Sequence, residues 1–316
     1  MPDTDEMRIV AIVPCHNEEA SVAKVVGDLK DAVPGIVVYV YDNLSTDRTV
    51  ARALDAGAIV RHENAKGKGN VVRRAFADVE ADIYLMIDGD DTYEATDAPL
   101  MIKTLLEGPY DHVLGVRRQD PGATAYRTGH EAGNRMLNRT VGLLFGENVT
   151  DMLSGFRVFS RRFVKSFPAM SRRFEIETEL TVHALRLRVP QTSLEVGFRD
   201  RPPGSTSKLR TFRDGFGILG LLANLARHER PVAFYGVIGV LSWVVAVGLS
   251  VPILIEYWDT GLVPRFPTLF LAFTLLLVGC LMWTAGLILD GIRRSRHENS
   301  RLAYLHNLAL RRADQP

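Results

Sequence analysis

Two stretches without a single charged residue, Val232–Ile255 and Phe266–Leu289, constrain this chain more than any other feature. As a helix at about 1.5 Å per residue, each is roughly 36 Å long, enough to cross a hydrocarbon core of about 30 Å with some tilt. The buried hairpin of a water-soluble core rarely holds two such lengths without a charge. The segment between them carries Glu256, Asp259 and a single Arg265, whereas Arg227 and Arg230 precede the first stretch and Arg293, Arg294 and Arg296 follow the second. The positive-inside rule therefore predicts a hairpin in the inner (plasma) membrane, with both ends and the soluble remainder on the cytoplasmic side.

Charge is segregated along the rest of the chain. Residues 199–316 hold 14 basic and 8 acidic groups, a net of +6, and residues 1–198 hold 24 and 29, a net of −5. The overall net charge of +1 excludes a general nucleic-acid binder. Cys15 and Cys280 are the only cysteines, so neither a disulfide framework nor a metal–thiolate cluster is available. The acidic opening MPDTDEMRIVAIV lacks the basic region of a secretory signal, and the soluble part is expected to stay where it is synthesised.

From Arg8 to about Val116, short β-branched runs alternate with helix-length segments. Strands are predicted at Ile9–Val13, Ile36–Tyr41, Ala58–Arg61, Ile83–Ile87 and His112–Val116, with amphipathic stretches such as Ala20–Ala32 and Asn70–Val79 between them. This is the βαβ pattern of an α/β fold with a mostly parallel sheet covered by helices. A more helical region follows, with Phe174–Leu187 its clearest amphipathic run, and a further strand is expected at Thr192–Val196. The loop Arg199–Lys208 closes the soluble domain at residues 1–208. An amphipathic juxtamembrane helix is predicted over 209–230, then the hairpin over 231–290 and a cytoplasmic tail over 291–316.

Ligands of such sheets bind beyond the carboxyl ends of the strands, and the polar clusters fall there. Pro14, Cys15, His16, Asn17 and Glu18 follow the first strand, Asp42, Asn43 and Ser45 the second, and Asp88-Gly89-Asp90 the fourth. Two carboxylates two residues apart can share a hard divalent cation that keeps water and phosphate oxygens in its shell; taken alone, they also suit a solvated acidic turn. Asp42 and Asn43 have the donors and acceptors to read a base or ribose, while Asp47 and Thr49 read as the cap of the next helix. Lys66-Gly67-Lys68-Gly69-Asn70 opens a helix as phosphate-cradling loops do, placing Lys68 at a nucleotide, although it lacks the spacing of a Walker A loop.

Taken together, these motifs resemble the family 2 glycosyltransferases of the GT-A fold, in particular the polyprenyl-phosphate glycosyltransferases similar to dolichol-phosphate mannose synthase. The resemblance runs from Ile9 to about Phe212, and the two apolar stretches look like those of membrane-anchored bacterial members. It implies a Rossmann-like GT-A domain whose Pro14, Asn17 and Glu18 line the nucleoside pocket, where Asp42 reads the base and Asn43 replaces a second acid. It further implies that Asp88 and Asp90 hold Mg²⁺ or Mn²⁺ against the diphosphate. Thr92 stands where mannose-phosphate synthases carry a glutamine. Asp151-Met152-Leu153-Ser154-Gly155-Phe156-Arg157 resembles the family's acceptor-side stretch, which places Ser154 and Arg157 at the acceptor and Asp151, with Asp90, among the catalytic residues. Glu177 is expected to face the sugar, and Arg201, Ser207 and Lys208 to bind a phosphate at the bilayer surface.

The implied reaction moves a sugar, with inversion, from a nucleotide-diphosphate sugar (UDP- or GDP-linked) to a polyprenyl phosphate, Asp151 taking a proton from the acceptor's residual protonated fraction. The implied partners are these two substrates, the bilayer and a second copy in a homo-oligomer. Two rivals are another membrane transferase, using a different lipid or a polysaccharide acceptor, and an inactive nucleotide-sugar-binding scaffold. Against a processive polysaccharide transferase stands the absence of a Q-x-x-R-W motif, since none of Trp243, Trp258 and Trp283 follows an arginine. Against the scaffold stands the intact Asp88/Asp90 pair.

Overall fold

A computed structural model describes residues 7–119, 138–139, 141–142, 149–171, 175–199 and 227–310. The chain divides into two compact units, Met1–Thr211 with Asn299–Pro316, and Phe212–Glu298.

In the first unit, apolar and β-branched runs become seven strands, the central ones buried on both faces and the edge strands partly exposed. They are β1 (Ile9–Cys15), β2 (Val37–Asp42), β3 (Ile59–His62), β4 (Ile83–Met86), β5 (His112–Gln119), β6 (Arg157–Ser160) and β7 (Gln191–Phe198). The intervening helices are α1 (Val22–Ala32), α2 (Thr49–Asp55), α3 (Lys68–Asp78), α4 (Ala98–Glu107), α5 (Arg161–Ser166) and α6 (Glu175–Leu187). The strands form one seven-stranded sheet in the order β3-β2-β1-β4-β6-β5-β7. Pairs β1–β2, β2–β3, β1–β4 and β5–β7 are parallel, and β6 alone among the described strands runs against its neighbours. The strand order reverses at β1, whose partners are β2 on one side and β4 on the other, so a crevice opens at the carboxyl ends of β1 and β4.

Side-chain alternation divides the core between the two faces of the sheet. Ala11, Val13, Leu85 and Ile87 point to one face, where Val22, Val25, Val26 and Leu29 of α1 cover them at helical spacing. Val10, Ile12, Tyr84 and Met86 point to the other, against Val72, Ala75 and Phe76 of α3. An aromatic cluster extends this second face, with Phe159 and Phe163 stacked at 4.9 Å and Phe76 edge-on to Phe159 at 6.0 Å. Strand β6 is not predicted, because it begins with Arg157 and ends with Ser160, leaving only Val158 and Phe159 as an apolar run.

The second unit contains α7 (Pro231–Thr260) and most of α8 (Phe266–His306), both long and apolar enough to cross a membrane. Only 17% of the most apolar stretch of either helix is buried, which distinguishes them from core helices. Gly239 and Gly279 let the two backbones approach closely, as small residues do between membrane helices. The indoles of Trp243 and Trp283 stack beside them at 6.3 Å, and Trp243 Nε1 donates to the Leu276 carbonyl at 3.1 Å. Helix α8 does not stop at the predicted span. It continues through the expected tail to His306, and from Asn299 onward the chain falls in the first unit, where Tyr304 and Leu310 are buried.

Candidate active site

The loops after β1 and β2 are stitched to each other. Asn17, in the left-handed region at φ 55°, accepts from the Thr46 amide at 2.7 Å through Oδ1, and its own amide donates to Ser45 Oγ at 2.9 Å. Leu44 is also left-handed, at φ 64°, a conformation costing about 1–3 kcal/mol that persists only where the surroundings hold it. Glu18 is buried, with its amide donating to Thr49 Oγ1 at 2.8 Å, and Pro14 is half-buried one residue before the end of β1. Asp42 is buried at the end of β2, accepting weakly from the Ser45 amide and lying 3.4 Å from His62 Nδ1. The Asn43 side chain is engaged by the chain itself: Nδ2 donates to the Glu63 and Ala65 carbonyls, and Oδ1 accepts from the Gly67 amide at 2.6 Å. Instead of facing outward as a base reader, it ties the start of α3 to the end of β2. Asp47 Oδ1 accepts from the Thr49 amide at the start of α2, whose N-cap position is Arg48 and carries no side-chain cap, so the pair is local to the helix start without forming the expected cap.

Three charged side chains from separate elements meet beyond β4. Lys68, the first residue of α3, lies 2.5 Å from Asp88 Oδ1 and 2.5 Å from Glu177 Oε1 of α6. Lys68 and Glu177 are buried, whereas the Asp88 side chain is 28% exposed and opens toward the crevice. Burial disfavours the Lys68 ammonium, but the Asp88 and Glu177 carboxylates outweigh it and hold its pKa above the usual lysine range. Burial pushes the Glu177 carboxyl up, and Asp88 adds to this, against the opposing pull of Lys68. Gly155 closes the site from the acceptor-side loop, so near that a Cβ there would overlap the Asp88 carboxylate. Asp90 is buried, with Oδ1 accepting from Thr92 Oγ1 at 2.7 Å; Thr92 thus orients the second carboxylate.

On the acceptor side, Asp151 forms a bidentate ion pair with Arg117 of β5, at 2.7 Å from Nε to Oδ2 and 2.6 Å from Nη2 to Oδ1. Ser154 is fully buried; its hydroxyl lies 3.4 Å from the Tyr93 hydroxyl, which also accepts from the Gly155 amide at 2.9 Å. Burial raises the Tyr93 pKa, so Tyr93 stays a neutral hydroxyl holding the Gly155 turn. Arg157 corrects an expectation. It is fully buried, and its guanidinium donates to the Ser154 and Met152 carbonyls and to Thr181 Oγ1, so it braces the loop from within instead of meeting an acceptor phosphate. Arg201, Ser207, Lys208 and nearly all of the predicted juxtamembrane helix lie outside the described residues.

The structure therefore brings Asp88, Lys68, Glu177 and Gly155 together, with the Asp151 pair on the loop that carries Gly155, while Asp90 is buried against Thr92. Arg117 and Tyr93 were missed by sequence reasoning. Arg117 had a signal, a charged residue inside a strand run, whereas nothing local marked Tyr93. Among the described residues no three His, Cys, Asp or Glu side chains form a metal cluster. A pair of hard carboxylates, one opening on the crevice, fits a divalent cation that takes its other ligands from phosphate and water.

Residues 10–167 match glycosyl transferase family 2. Glycosyltransferase AglJ of Haloferax volcanii is 37% identical over 81% of this chain and 84% of its own length. The chain belongs to glycosyl transferase family 2. The transferase is also 25% identical, over 70% of its length and 95% of the relative, to the dolichyl-phosphate hexose transferase of Haloferax volcanii. Its fold is that of glucosyl-3-phosphoglycerate synthase from Mycobacterium tuberculosis, solved with Mn²⁺, UDP and phosphoglyceric acid (TM-score 0.57, 23% identity, 71% of this chain and 78% of that one). The GT-A architecture expected for the transferase is thereby shown, and so is its class as an enzyme.

Proposed function

We propose that this transferase moves a sugar from a nucleotide-diphosphate sugar to a polyprenyl phosphate at the cytoplasmic face of a membrane. The observation that carries the reading is the Asp88 carboxylate, part-exposed at the crevice between β1 and β4 with a buried lysine on one side and Gly155 of the acceptor loop on the other. A donor diphosphate would lie along this edge, its nucleoside toward Asn17, Glu18 and Asp42. Asp88 and Asp90 would hold Mg²⁺ or Mn²⁺, which when bound supplies positive charge against the leaving diphosphate. The complex of the M. tuberculosis enzyme with Mn²⁺ and UDP supports this choice, and the name of the dolichyl-phosphate relative supports the acceptor.

In this reaction an acceptor phosphate oxygen bonds to the anomeric carbon as the bond to the diphosphate breaks, the electron pair leaving with the diphosphate. A phosphate monoester has a second pKa near about 6, so at neutral pH the nucleophile is already mostly ionised. Both Asp151 oxygens accept from Arg117, and Asp151 in this reading positions that guanidinium for the incoming phosphate instead of acting as the base implied by the resemblance.

Purified transferase is to be incubated with radiolabelled UDP- and GDP-sugars and undecaprenyl phosphate, with and without EDTA. Label entering the lipid phase only without EDTA is the expected result; donor hydrolysis without lipid labelling would reject the acceptor, and no metal-dependent turnover of any donor would reject the reading. Asp151→Asn is expected to raise the acceptor KM at every pH, while a loss of kcat confined to pH below about 6, where the acceptor is protonated, would restore the base.

A further inference from the structure

Lys68 binds two carboxylates that have different work to do. Asp88 is the group that a divalent cation would need, and Glu177 is buried on α6 behind it. Glu177 Oε1 pairs with the Lys68 ammonium at 2.5 Å, while Oε2 is buried with no hydrogen-bond partner among the described residues. An ammonium has three donors in rotatable positions. Without its Asp88 contact it keeps the Oε1 bond, and the idle Oε2 lies on the same carboxylate to receive a second one. Gly155 crowds Asp88 from the other side, so a cation reaching that carboxylate competes with Lys68 for it.

We propose that the Lys68 ammonium is a resident counter-ion of Asp88, displaced by the divalent cation that arrives with the donor, and that Glu177 retains it so that it turns to the donor diphosphate. The inference rests on the nucleotide-sugar reading and adds to it a role for Glu177, which positions Lys68 and touches no reacting atom. Before the donor arrives, the acidic strand tip is neutralised from within. When metal and diphosphate enter, the same positive charge remains at the site and becomes a ligand.

The test is Mn²⁺ affinity of the full-length chain in detergent, read from the electron paramagnetic resonance of free Mn²⁺, with and without UDP. Lys68→Met with Glu177→Gln removes one charge of each sign and leaves Asp88 without its ammonium. Without nucleotide this double variant is expected to bind Mn²⁺ on the order of tenfold more tightly than the wild type, an advantage that shrinks with UDP because the lysine–diphosphate contact is lost. Glu177→Gln alone leaves Lys68 to Asp88 and is expected to weaken Mn²⁺ binding on the order of tenfold. A merely structural role would weaken binding in both variants, and shifts of the same sign, or an unchanged double variant, would overturn the displacement. If the double variant does not fold, Lys68→Met decides: it too leaves Asp88 without its ammonium and is expected to bind Mn²⁺ more tightly than the wild type, and equal or weaker binding overturns the displacement. Loss of Mn²⁺ binding in Asp88→Asn alongside an unchanged double variant removes only this inference. Mn²⁺ binding with UDP that is indifferent to Asp88→Asn removes the nucleotide-sugar reading beneath it.

Discussion

At Gly155 the chain passes so close to the Asp88 carboxylate that the position demands hydrogen in place of a side chain. Gly155→Ala is therefore expected to push the carboxylate out of register and lower kcat about 100-fold, the cost of an ångström-scale misplacement, while the thermal midpoint stays near that of the wild type. Initial rates and a melting curve on the same preparation check both halves. His112 makes a different kind of prediction. Burial, with the Arg157 charge nearby, depresses its pKa to about 3, and its ring stacks on Phe159 at 5.1 Å while Nδ1 meets Gln191 Oε1. A folded-state pKa below the unfolded value of about 6.5 means that protons bind the unfolded chain first, so the contribution is whole above pH 6.5 and declines as pH falls toward 3. The slope is about 1.4 kcal/mol per pH unit in that window. Thermal midpoints at pH 7 and pH 5 are expected to differ less in His112→Phe than in the wild type. That Asp88, Asp42 and Glu18 lie at the carboxyl ends of strands was legible at this scale, because each follows closely on an apolar run. The pairing of Lys68 with Glu177 was not, since 109 positions separate them in the chain and only folding sets them 2.5 Å apart.

Among the elements, β6 and the loop before it illustrate how an arginine in a motif can be misread. Arg157 begins the strand, and its guanidinium ties down two carbonyls of the Asp151–Phe156 loop. Arg157→Met would leave those buried carbonyls unsatisfied, at about 1–3 kcal/mol each. The expected outcome is a fall of several degrees in the thermal midpoint with kcat lowered for every acceptor; an unchanged midpoint with a raised acceptor KM would return Arg157 to the phosphate. Periodicity located the six other strands, since runs such as Ile9–Val13 are wholly apolar and mostly β-branched. It failed for β6, whose pairing with β4 and β5 across the sheet is what makes four residues a strand.

Over the whole molecule, the catalytic unit is completed by the far end of the chain. Tyr304 donates to Asp111 Oδ2 at 2.5 Å, and Asp111 also receives Ser160 Oγ at 2.6 Å and the Arg162 guanidinium. The Arg162 guanidinium carbon lies 4.7 Å from the Tyr304 ring centroid, while Arg161 reaches Asn307 and Arg301 reaches the Leu187 carbonyl. Leu310 packs into the core of the sheet's other face. Deleting residues 299–316 would expose both cores, and the catalytic unit is expected to lose about 3 kcal/mol or more, seen as faster proteolysis and a lower thermal midpoint. Tyr304→Phe is expected to cost about 1–2 kcal/mol in the same assay, and a wild-type midpoint in the truncated chain would show the docking to be idle.

The sequence by itself determined what depends on runs and neighbours. Burial of apolar surface is read locally, so the parallel strands, the two long helices and the acidic tip of β4 follow from a few adjacent residues. Only the tertiary structure decided which charges meet: that Lys68 lies between Asp88 and Glu177, that Arg117 holds Asp151, that Arg157 faces inward and that Tyr304 returns to Asp111. An ion pair acts over a few ångströms, and in a folded chain those ångströms join residues that no local pattern connects.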